Sequence, residues 1–508
     1  MGRRRWFRFF AMAVVLAVAG LVIGVASCGY IALPGGIIIN FSNLPGSDRD
    51  PLTDTDLQGR LQLPEGFALE TWATGLPGAR MLLATEAGDL LVSTPRSGEI
   101  YLVERDGDGD GASDGVRVLI DSLDRPHGIA YRDGLLYVAE GSAIARLPFD
   151  PLTRRVGAPQ RIVTGLPEGG NHWTRTVHIG PDEKLYVAIG SSCNVCEEED
   201  PRRAAIVRYE LDGSHEEIFA TGLRNAVDFA WRPATQGLYA VVNGRDLLGD
   251  DYPPEEVNLV VKGGFYGWPY ANPPQIPDPD FGALRPDKVA ATIPPAYELP
   301  AHTAPLAIVF DPGGVFPDEY RGAAFVSLHG SWNRRKKQGY EVVTLFFGED
   351  DVIRQEPFLT GFEIDEDVVG RPVGLAFGGD GALYIADDYT GVVYRVAYGE
   401  APKARVAGPA AAAAKAAPQA NPLDGLATHE IIRAAAAGAT LWTDSDCASC
   451  HLRGEENSPP RLLGALGAKF DRAGLDAFLQ APQPPMPLYP FTATQRRNLS
   501  IYLFTRFR

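Results

Sequence analysis

The sequence predicts a mainly β chain: a six-bladed β-propeller with a small α-helical domain at its C-terminus and an apolar segment at its N-terminus. Three observations predict it. A strand–turn–strand pattern recurs six times through the middle of the chain. The recurrence stops near residue 398. Beyond about residue 425 the hydrophobic spacing changes to a helical period.

Arg3, Arg4, Arg5 and Arg8 precede "AMAVVLAVAGLVIGVASC", a basic region followed by an apolar one. The apolar stretch, from about Phe9 to Leu33, is long enough to span roughly 30 Å as a helix. Two readings stand. "VASC" resembles a bacterial lipobox, in which Cys28 is lipidated after cleavage, and "RRWF" faintly resembles a twin-arginine signal. The same stretch also reads as an uncleaved transmembrane helix. Positive residues on the short N-terminal side place the rest of the chain outside the cytoplasm. The expected location is periplasmic or extracytoplasmic, anchored to the membrane, where disulfides persist.

Residues 1–40 are thus a signal peptide or anchor and 41–60 a polar tether. The repeats begin in "AGDLLVSTPRSGEIYLVERD" and continue in "RPHGIAYRDGLLYVAEGSAIARL". They return in "RTVHIGPDEKLYVAIGSS", "LRNAVDFAWRPATQGLYAVVNG", "APLAIVFDPGGVFPDEYRGAAFVSLHG" and "RPVGLAFGGDGALYIADDYTGVVYRVAY". A sandwich would not repeat one Gly-x-Leu-Tyr cassette; short strands repeated around an axis would. The propeller therefore occupies 61–398, an Ala/Pro-rich linker 399–424, and the helical domain 425–508. A formal net charge of −17 argues against nucleic acid as a partner. Five cysteines are too few for a disulfide scaffold.

"DCASCH" at 446–451 carries the attachment spacing of c-type haem. Cys447 and Cys450 would form the thioethers and His451 would present its imidazole to the iron. Met486, in the Pro-rich "PQPPMPLYPFT", is the candidate sixth ligand. The competing readings are a zinc or redox cysteine pair and a core methionine. The helical pattern around the motif resembles a small cytochrome c domain. Such a haem moves single electrons, so the β body is expected to feed it.

"GNHWTRTVHIGPDEKLYVAIG", "GLRNAVDFAW", "EEVNLVVKGGFYGWPY", "LHGSWNR" and "GRPVGLAF" resemble the soluble glucose and sorbosone (pyranose) dehydrogenases. These are six-bladed propellers that use pyrroloquinoline quinone and Ca2+. The resemblance implies that His172 is the catalytic base, since oxidising a carbinol by hydride loss leaves a hydroxyl proton to be taken up. It assigns Arg224, Asn225 and Arg371 to cofactor binding, where bidentate pairing to the quinone's carboxylates favours Arg over Lys. Arg80, His329 and Arg334 are added by their placement in loops. The backbone carbonyls of Gly244 and Arg245 are the implied calcium ligands.

Asp106, Asp108, Asp110 and Asp114 in "DGDGDGASD" follow part of a calcium-loop pattern, but Arg117 stands where the bidentate Glu belongs. A structural calcium site and an acidic turn both fit. Cys193 and Cys196 lack a following His; a disulfide loop clamp is expected, with a redox relay as the alternative. The functional expectation is an oxidoreductase that oxidises a sugar, alcohol or aldehyde with pyrroloquinoline quinone. Its electrons pass through heme c to a downstream cytochrome or terminal oxidase. The rivals are a calcium-dependent, lactonase-like hydrolase and a non-enzymatic electron-transfer or binding module.

Overall fold

In the computed structural model each recurring cassette folds into a four-stranded antiparallel sheet. The structure describes residues 30–33, 37–40, 50–348, 352–399, 423, 426, 428–445, 447, 470, 472–480 and 489–506. Two compact units divide the chain, Met1–Ala404 and Arg405–Arg508.

Blade 1 comprises Leu82–Ala84, Leu90–Thr94, Glu99–Val103 and Val116–Ile120. Blade 2 comprises Ile129–Arg132, Leu135–Ala139, Ala143–Asp150 and Gln160–Thr164, with Arg155–Val156 as an added edge. Blade 3 holds Arg175–Ile179, Lys184–Ile189, Ala205–Glu210 and Glu217–Thr221. Blade 4 holds Ala226–Trp231, Leu238–Val242, Glu255–Val260 and Tyr297–Leu299. Blade 5 is built from Pro305–Phe310, Ala324–Leu328, Glu341–Phe347 and Ile353–Leu359. Blade 6 takes Pro372–Phe377, Leu383–Asp387 and Val392–Tyr398 from the end of the repeat region and Phe67–Ala73 from its start. That last pairing, with Leu69 opposite Val396 and Thr71 opposite Tyr394, closes the ring.

The first strand of every blade touches the first strand of the next, so these strands line the axis. Second strands are covered on both faces, which explains why the "LY-V-A" segments read as unbroken apolar runs rather than alternating ones. Six buried clusters lie one at each blade–blade boundary. Between blades 1 and 2, for example, Leu91, Ile100 and Leu102 meet Ile129, Leu136 and Val138. Val227, Leu306 and Val373, from the first strands of blades 4, 5 and 6, form a seventh cluster at the axis.

One expectation is corrected at the N-terminal side, and one segment gains detail. Within the stretch read as a polar tether, Asp54–Arg60 is a helix capped by Thr53, whose Oγ1 accepts from the Asp56 N–H at 3.2 Å. Its Leu57, with Leu61, enters the core between blades 5 and 6, so apolar burial organises this segment. The predicted apolar helix does not reach Leu33. Tyr30–Leu33 pairs antiparallel with Ile37–Asn40, and the intervening sequence, Pro-Gly-Gly, is one that punctuates a helix. Cys28 lies outside the described residues. No described helix is long and apolar enough to cross a membrane.

In the second unit, Thr428–Asp444, Arg472–Gln480 and Ala493–Arg506 are helices sharing a core that includes Trp442, Leu475, Leu479, Leu499 and Phe504. The first and last pack closely at Gly438, where a Cβ would lie 2.3 Å from the Asn498 carbonyl oxygen and 2.6 Å from Tyr502 Cβ. Only glycine admits that approach.

Candidate active site

Antiparallel strands alternate direction, so the residues leading into each first strand share one end of the ring with the loops after each second strand. At that end the loops 190–204, 243–254 and 329–340, from blades 3, 4 and 5, are long. A cavity of ≈ 470 Å³ opens among them, within the range of small-ligand sites. Its floor is apolar, formed by Val227 and Leu306 above Val373. Its walls are polar, and Trp173 and Trp332 add aromatic surface.

His172, in the loop before blade 3, lines this cavity. Its Nδ1 lies 3.0 Å from the Ser191 carbonyl oxygen and 2.8 Å from Ser191 Oγ. Ser191 Oγ itself donates to the Cys193 carbonyl at 2.7 Å. Both Ser191 oxygens therefore act as acceptors toward the imidazole, which places the proton on Nδ1 and the lone pair on Nε2. Among the described residues Nε2 has no hydrogen-bond partner. Burial pushes the imidazole pKa down to about 3, with Arg224, Arg203 and Arg175 contributing, against the opposing Ser191 hydrogen bond. The ring is neutral and basic-side-out at neutral pH. Gly190 makes this packing feasible, since a Cβ there would sit 2.4 Å from Asn225 Oδ1 and 2.6 Å from His172 Cβ.

Arg224, 4% exposed, spends its donors on the protein. Nε donates to the Asn194 carbonyl at 2.9 Å, Nη1 to the Asn243 carbonyl at 3.1 Å and to that of Gly244. Nη2 donates to Asn194 Oδ1 at 2.9 Å and to Asp246 at 3.0 Å. It thus clamps loop 190–204 to loop 243–254. Asn225 is a cavity residue whose Oδ1 is buried with no partner among the described residues, while its amide donates to Asn243 at 3.3 Å.

Across the cavity stand Arg80 and His329. Asp388 accepts from Arg80 Nη1 and from His329 Nε2, both at 2.8 Å. Arg80 Nε is buried without a partner among the described residues. Burial, assisted by Arg371, lowers the His329 pKa to about 4, so this ring is also neutral. Arg371 does not line the cavity wall itself. It lies behind His329, reaching the His329 and Gly330 carbonyls at 3.3 and 3.4 Å and stacking over Tyr340. Arg334 is not at the cavity either: it ties loop 329–340 to Asp250 and to Asp251 at 2.8 Å. Its neighbours Trp332 and Asn333 face the cavity instead.

Gly244 lines the cavity beside Asp246 and Glu255. Its N–H donates to Glu255, whose other oxygen accepts from the Ala304 N–H at 3.2 Å. Burial pushes the Glu255 carboxyl up to about 7, against those two donors and Arg224, and Asp246 adds to the rise. Carbonyl and carboxylate oxygens suit a hard cation such as calcium, although His302 also lines this wall, with its Nδ1 3.9 Å from Asp246. The side chain of Arg245 is buried and turned to Asp278 and Asp280 in the 261–296 insert. That insert runs back along blade 3, where Phe265 bridges Thr221 in parallel, and delivers Trp268 to the Asn194 carbonyl at 3.2 Å.

Cys193 and Cys196 form a disulfide. Asp106, Asp108 and Asp114 converge in the loop of blade 1, with Asp106 accepting from the N–H groups of Gly109, Asp110 and Gly111. Asp110 caps the following turn through Ala112 N–H at 2.9 Å. No residue of this loop lines the cavity. Cys447 is half-buried against the helical core. Cys450, His451 and Met486 lie outside the described residues.

Sequence reading alone missed Ser191, Asn194, Glu255, Asp388, Arg175 and Arg203. Arg175 and Arg203 hold the loop bearing His172, through the carbonyls of Pro167, Thr174, Gly169 and others. Paired acids entering or leaving an apolar strand, as in "PPEEVN" and "IADDY", were the available signal for Glu255 and Asp388.

The family model described as TrAA12-like matches residues 61–264 and 287–399, more than half of the chain. An uncharacterized protein of Borreliella burgdorferi is 30% identical over 359 residues, covering 68% of this chain and 92% of that one. The pyrroloquinoline quinone-dependent pyranose dehydrogenase of Coprinopsis cinerea is 26% identical over 412 residues. That match covers 66% of this chain and 54% of the other, so the chain spans about half the length of that relative. A calcium structure of Trichoderma reesei Carbohydrate-Active Enzymes Family AA12 superposes with a TM-score of 0.57 at 22% identity, over 67% of this chain and 97% of that one. The family match ends at residue 399, before the helical unit.

Proposed function

The chain belongs to the TrAA12-like family, and from that premise we propose that it oxidises a sugar, or a related alcohol or aldehyde, with pyrroloquinoline quinone and calcium. The observation that carries this reading is His172: a neutral imidazole facing a small-ligand cavity, its Nδ1 proton tied down and its Nε2 lone pair available. Relatives named for the quinone and for calcium support the choice of cofactors.

The residues present fit the quinone. Arg80 brings a buried Nε with no partner among the described residues, and Asn225 a buried carbonyl oxygen in the same state. Arg80 would hold a carboxylate, Arg371 supports the wall from behind His329, and Arg224 keeps the opposite walls in place. Gly244, Asp246 and Glu255 would supply oxygen donors for calcium, the Gly244 carbonyl and the Asp246 carboxylate being shared with the Arg224 guanidinium. When bound, pyrroloquinoline quinone supplies a vicinal dione that accepts hydride from the carbinol carbon, and calcium makes that dione more electrophilic. His172 Nε2 takes the hydroxyl proton, a contribution of about 10²–10⁴ in rate. Val227, Leu306 and Val373 exclude water from below. Trp332, 43% exposed, offers a flat apolar face at the rim for a pyranose ring.

The Cys-x-x-Cys-His motif supports an outlet through heme c, with Cys447 and Cys450 as attachment points and His451 and Met486 as iron ligands. Electrons would then leave singly to a cytochrome or oxidase. The basic-then-apolar N-terminus supports an exported, membrane-anchored location. The test is reconstitution of the purified chain with pyrroloquinoline quinone and calcium, followed by dye reduction over a panel of sugars, alcohols and aldehydes. Turnover that requires the quinone supports the reading. Lactone hydrolysis without quinone, or no turnover with any substrate, refutes it.

A further inference from the structure

The disulfide turn Cys193-Asn194-Val195-Cys196 touches both halves of the site. On one side, the Cys193 carbonyl accepts the Ser191 hydroxyl proton at 2.7 Å, which leaves Ser191 Oγ to accept from His172 Nδ1. On the other, Asn194 is engaged through both ends of its side-chain amide and through its main-chain carbonyl. Its Oδ1 accepts from Arg224 Nη2 and from the Asp246 N–H, each at 2.9 Å, and its Nδ2 donates to the Asp246 carbonyl at 3.1 Å. Its main-chain carbonyl accepts from Arg224 Nε at 2.9 Å and from Trp268 at 3.2 Å. Just after the turn, Glu198 accepts from the Ser192 N–H at 2.6 Å and hydroxyl at 2.8 Å, and Glu197 from the Tyr270 hydroxyl at 2.6 Å.

We propose that this disulfide turn is the positioning element of the active site. Through Ser191 it fixes the Nδ1–H tautomer of His172, and through Asn194 it locks Arg224 and the 244–246 backbone into one wall. The inference rests on the reading of His172 as the base. Ser191 and Asn194 are positioning residues, since they act through His172 and Arg224.

The physical reason is pre-organisation. A four-residue turn with polar main chain and no regular structure would sample many conformations, and the covalent link removes most of them. If the Cys193 carbonyl moves away, the Ser191 hydroxyl, the nearer of the two Nδ1 partners at 2.8 Å, regains a proton that can rotate toward Nδ1 in competition with the Ser191 carbonyl at 3.0 Å. Donation in that direction stabilises the opposite tautomer, with hydrogen on Nε2 and no lone pair facing the cavity. The base would remain in place but point its N–H at the substrate. A cystine pair acting only as a local staple would not have this effect on the imidazole.

The test uses the full-length chain and two routes to an opened turn. One is the Cys193→Ser/Cys196→Ser double variant. The other is reduction of the native protein by a dithiol, followed by alkylation. In the reduction the S–S bond breaks, two electrons and two protons reach the Cys193 and Cys196 sulfurs, and the dithiol closes to its own disulfide. The first readout needs no cofactor. The rate of His172 carbethoxylation by diethyl pyrocarbonate, followed by peptide mapping, reports the unprotonated nitrogen. In the native chain this rate should be flat between pH 5 and 8. In the opened forms it should fall about tenfold or more at every pH in that range, because the nitrogen facing the cavity then carries the proton and the unprotonated one is turned to Ser191.

The second readout is kinetic. With quinone and calcium, kcat should drop at least about tenfold while the sugar KM stays within about threefold. Asn194→Ala, which keeps the disulfide, should shift both readouts in the same direction by less. A folded, opened form with native carbethoxylation and native kcat overturns the proposal. If no sugar is oxidised even by the native chain, the functional reading fails, and the carbethoxylation profile alone decides the tautomer claim.

Discussion

Arg224→Gln removes a buried cation from the centre of the site and leaves five acceptor groups without their donor. Those groups are the Asn194 carbonyl and side-chain oxygen, the Asn243 and Gly244 carbonyls, and the Asp246 carboxylate. Hydrogen bonds to a charged donor are worth about 1.5–3 kcal/mol each, but they share one guanidinium and do not add. Breaking a buried pair from one side costs about 3–5 kcal/mol, and Asp246, partly exposed, recovers some solvation. The loss should be local, because the blade–blade cores do not include Arg224. About 3–5 kcal/mol of lost local stability corresponds to roughly 10²- to 10⁴-fold easier opening. Hydrogen–deuterium exchange should therefore quicken by about that factor at the Ser191 and Asn243 N–H groups, which bond to Arg224 and Asn225 backbone oxygens. Exchange in the second strands of blades 1 and 6 should not change. The His172 pKa should rise, since Arg224 is the strongest charge holding it down after burial. Unchanged exchange in 190–204 and 243–246 would refute the clamp.

Other consequences are open to direct measurement. His172→Ala should lower kcat/KM by about 10²–10⁴ with an unaltered fold by circular dichroism. Because its pKa is depressed to about 3, the base is ready above that value, and the free-enzyme rate should lose this group's contribution only as pH falls through it. Glu341 has its carboxyl pushed up to about 7 by burial alone. The folded chain holds that proton more tightly than the unfolded one, so the contribution is complete below about 4.5 and is lost as pH rises through about 7. Glu341→Gln should flatten the decline of thermal stability between pH 5 and 8, by roughly 1–3 kcal/mol. Gly438→Ala should push apart the helices Thr428–Asp444 and Ala493–Arg506, costing about 1–3 kcal/mol in the helical unit, read as an earlier thermal transition in far-ultraviolet ellipticity.

The six blades were legible because the second strand of each is sealed on both faces and must be apolar, which stamps a cassette on the sequence. Ring closure was not. Phe67–Ala73 carries no partner signal, and its mate, Val392–Tyr398, lies at the far end of the repeat region. His172 could be placed because its motif is long. Arg334 was misplaced by one or two residues because loop 329–340 has no period to say which side chain faces inward; Trp332 and Asn333 do. Arg224 was placed at the site, but its role was not readable: an arginine that binds a ligand and one that clamps two loops have the same sequence. Ser191, Asn194 and Asp388 act through neighbours that only the fold brings together.

The central claim is that one chain joins a two-electron oxidation to a one-electron carrier. An absorbance spectrum of the purified, quinone- and calcium-loaded protein tests it most directly. The account predicts that the reduced haem band appears on adding an oxidisable sugar only when quinone is present, and fails to appear in His172→Ala. A haem band that stays oxidised while sugar is consumed, or that reduces equally without quinone, would contradict it.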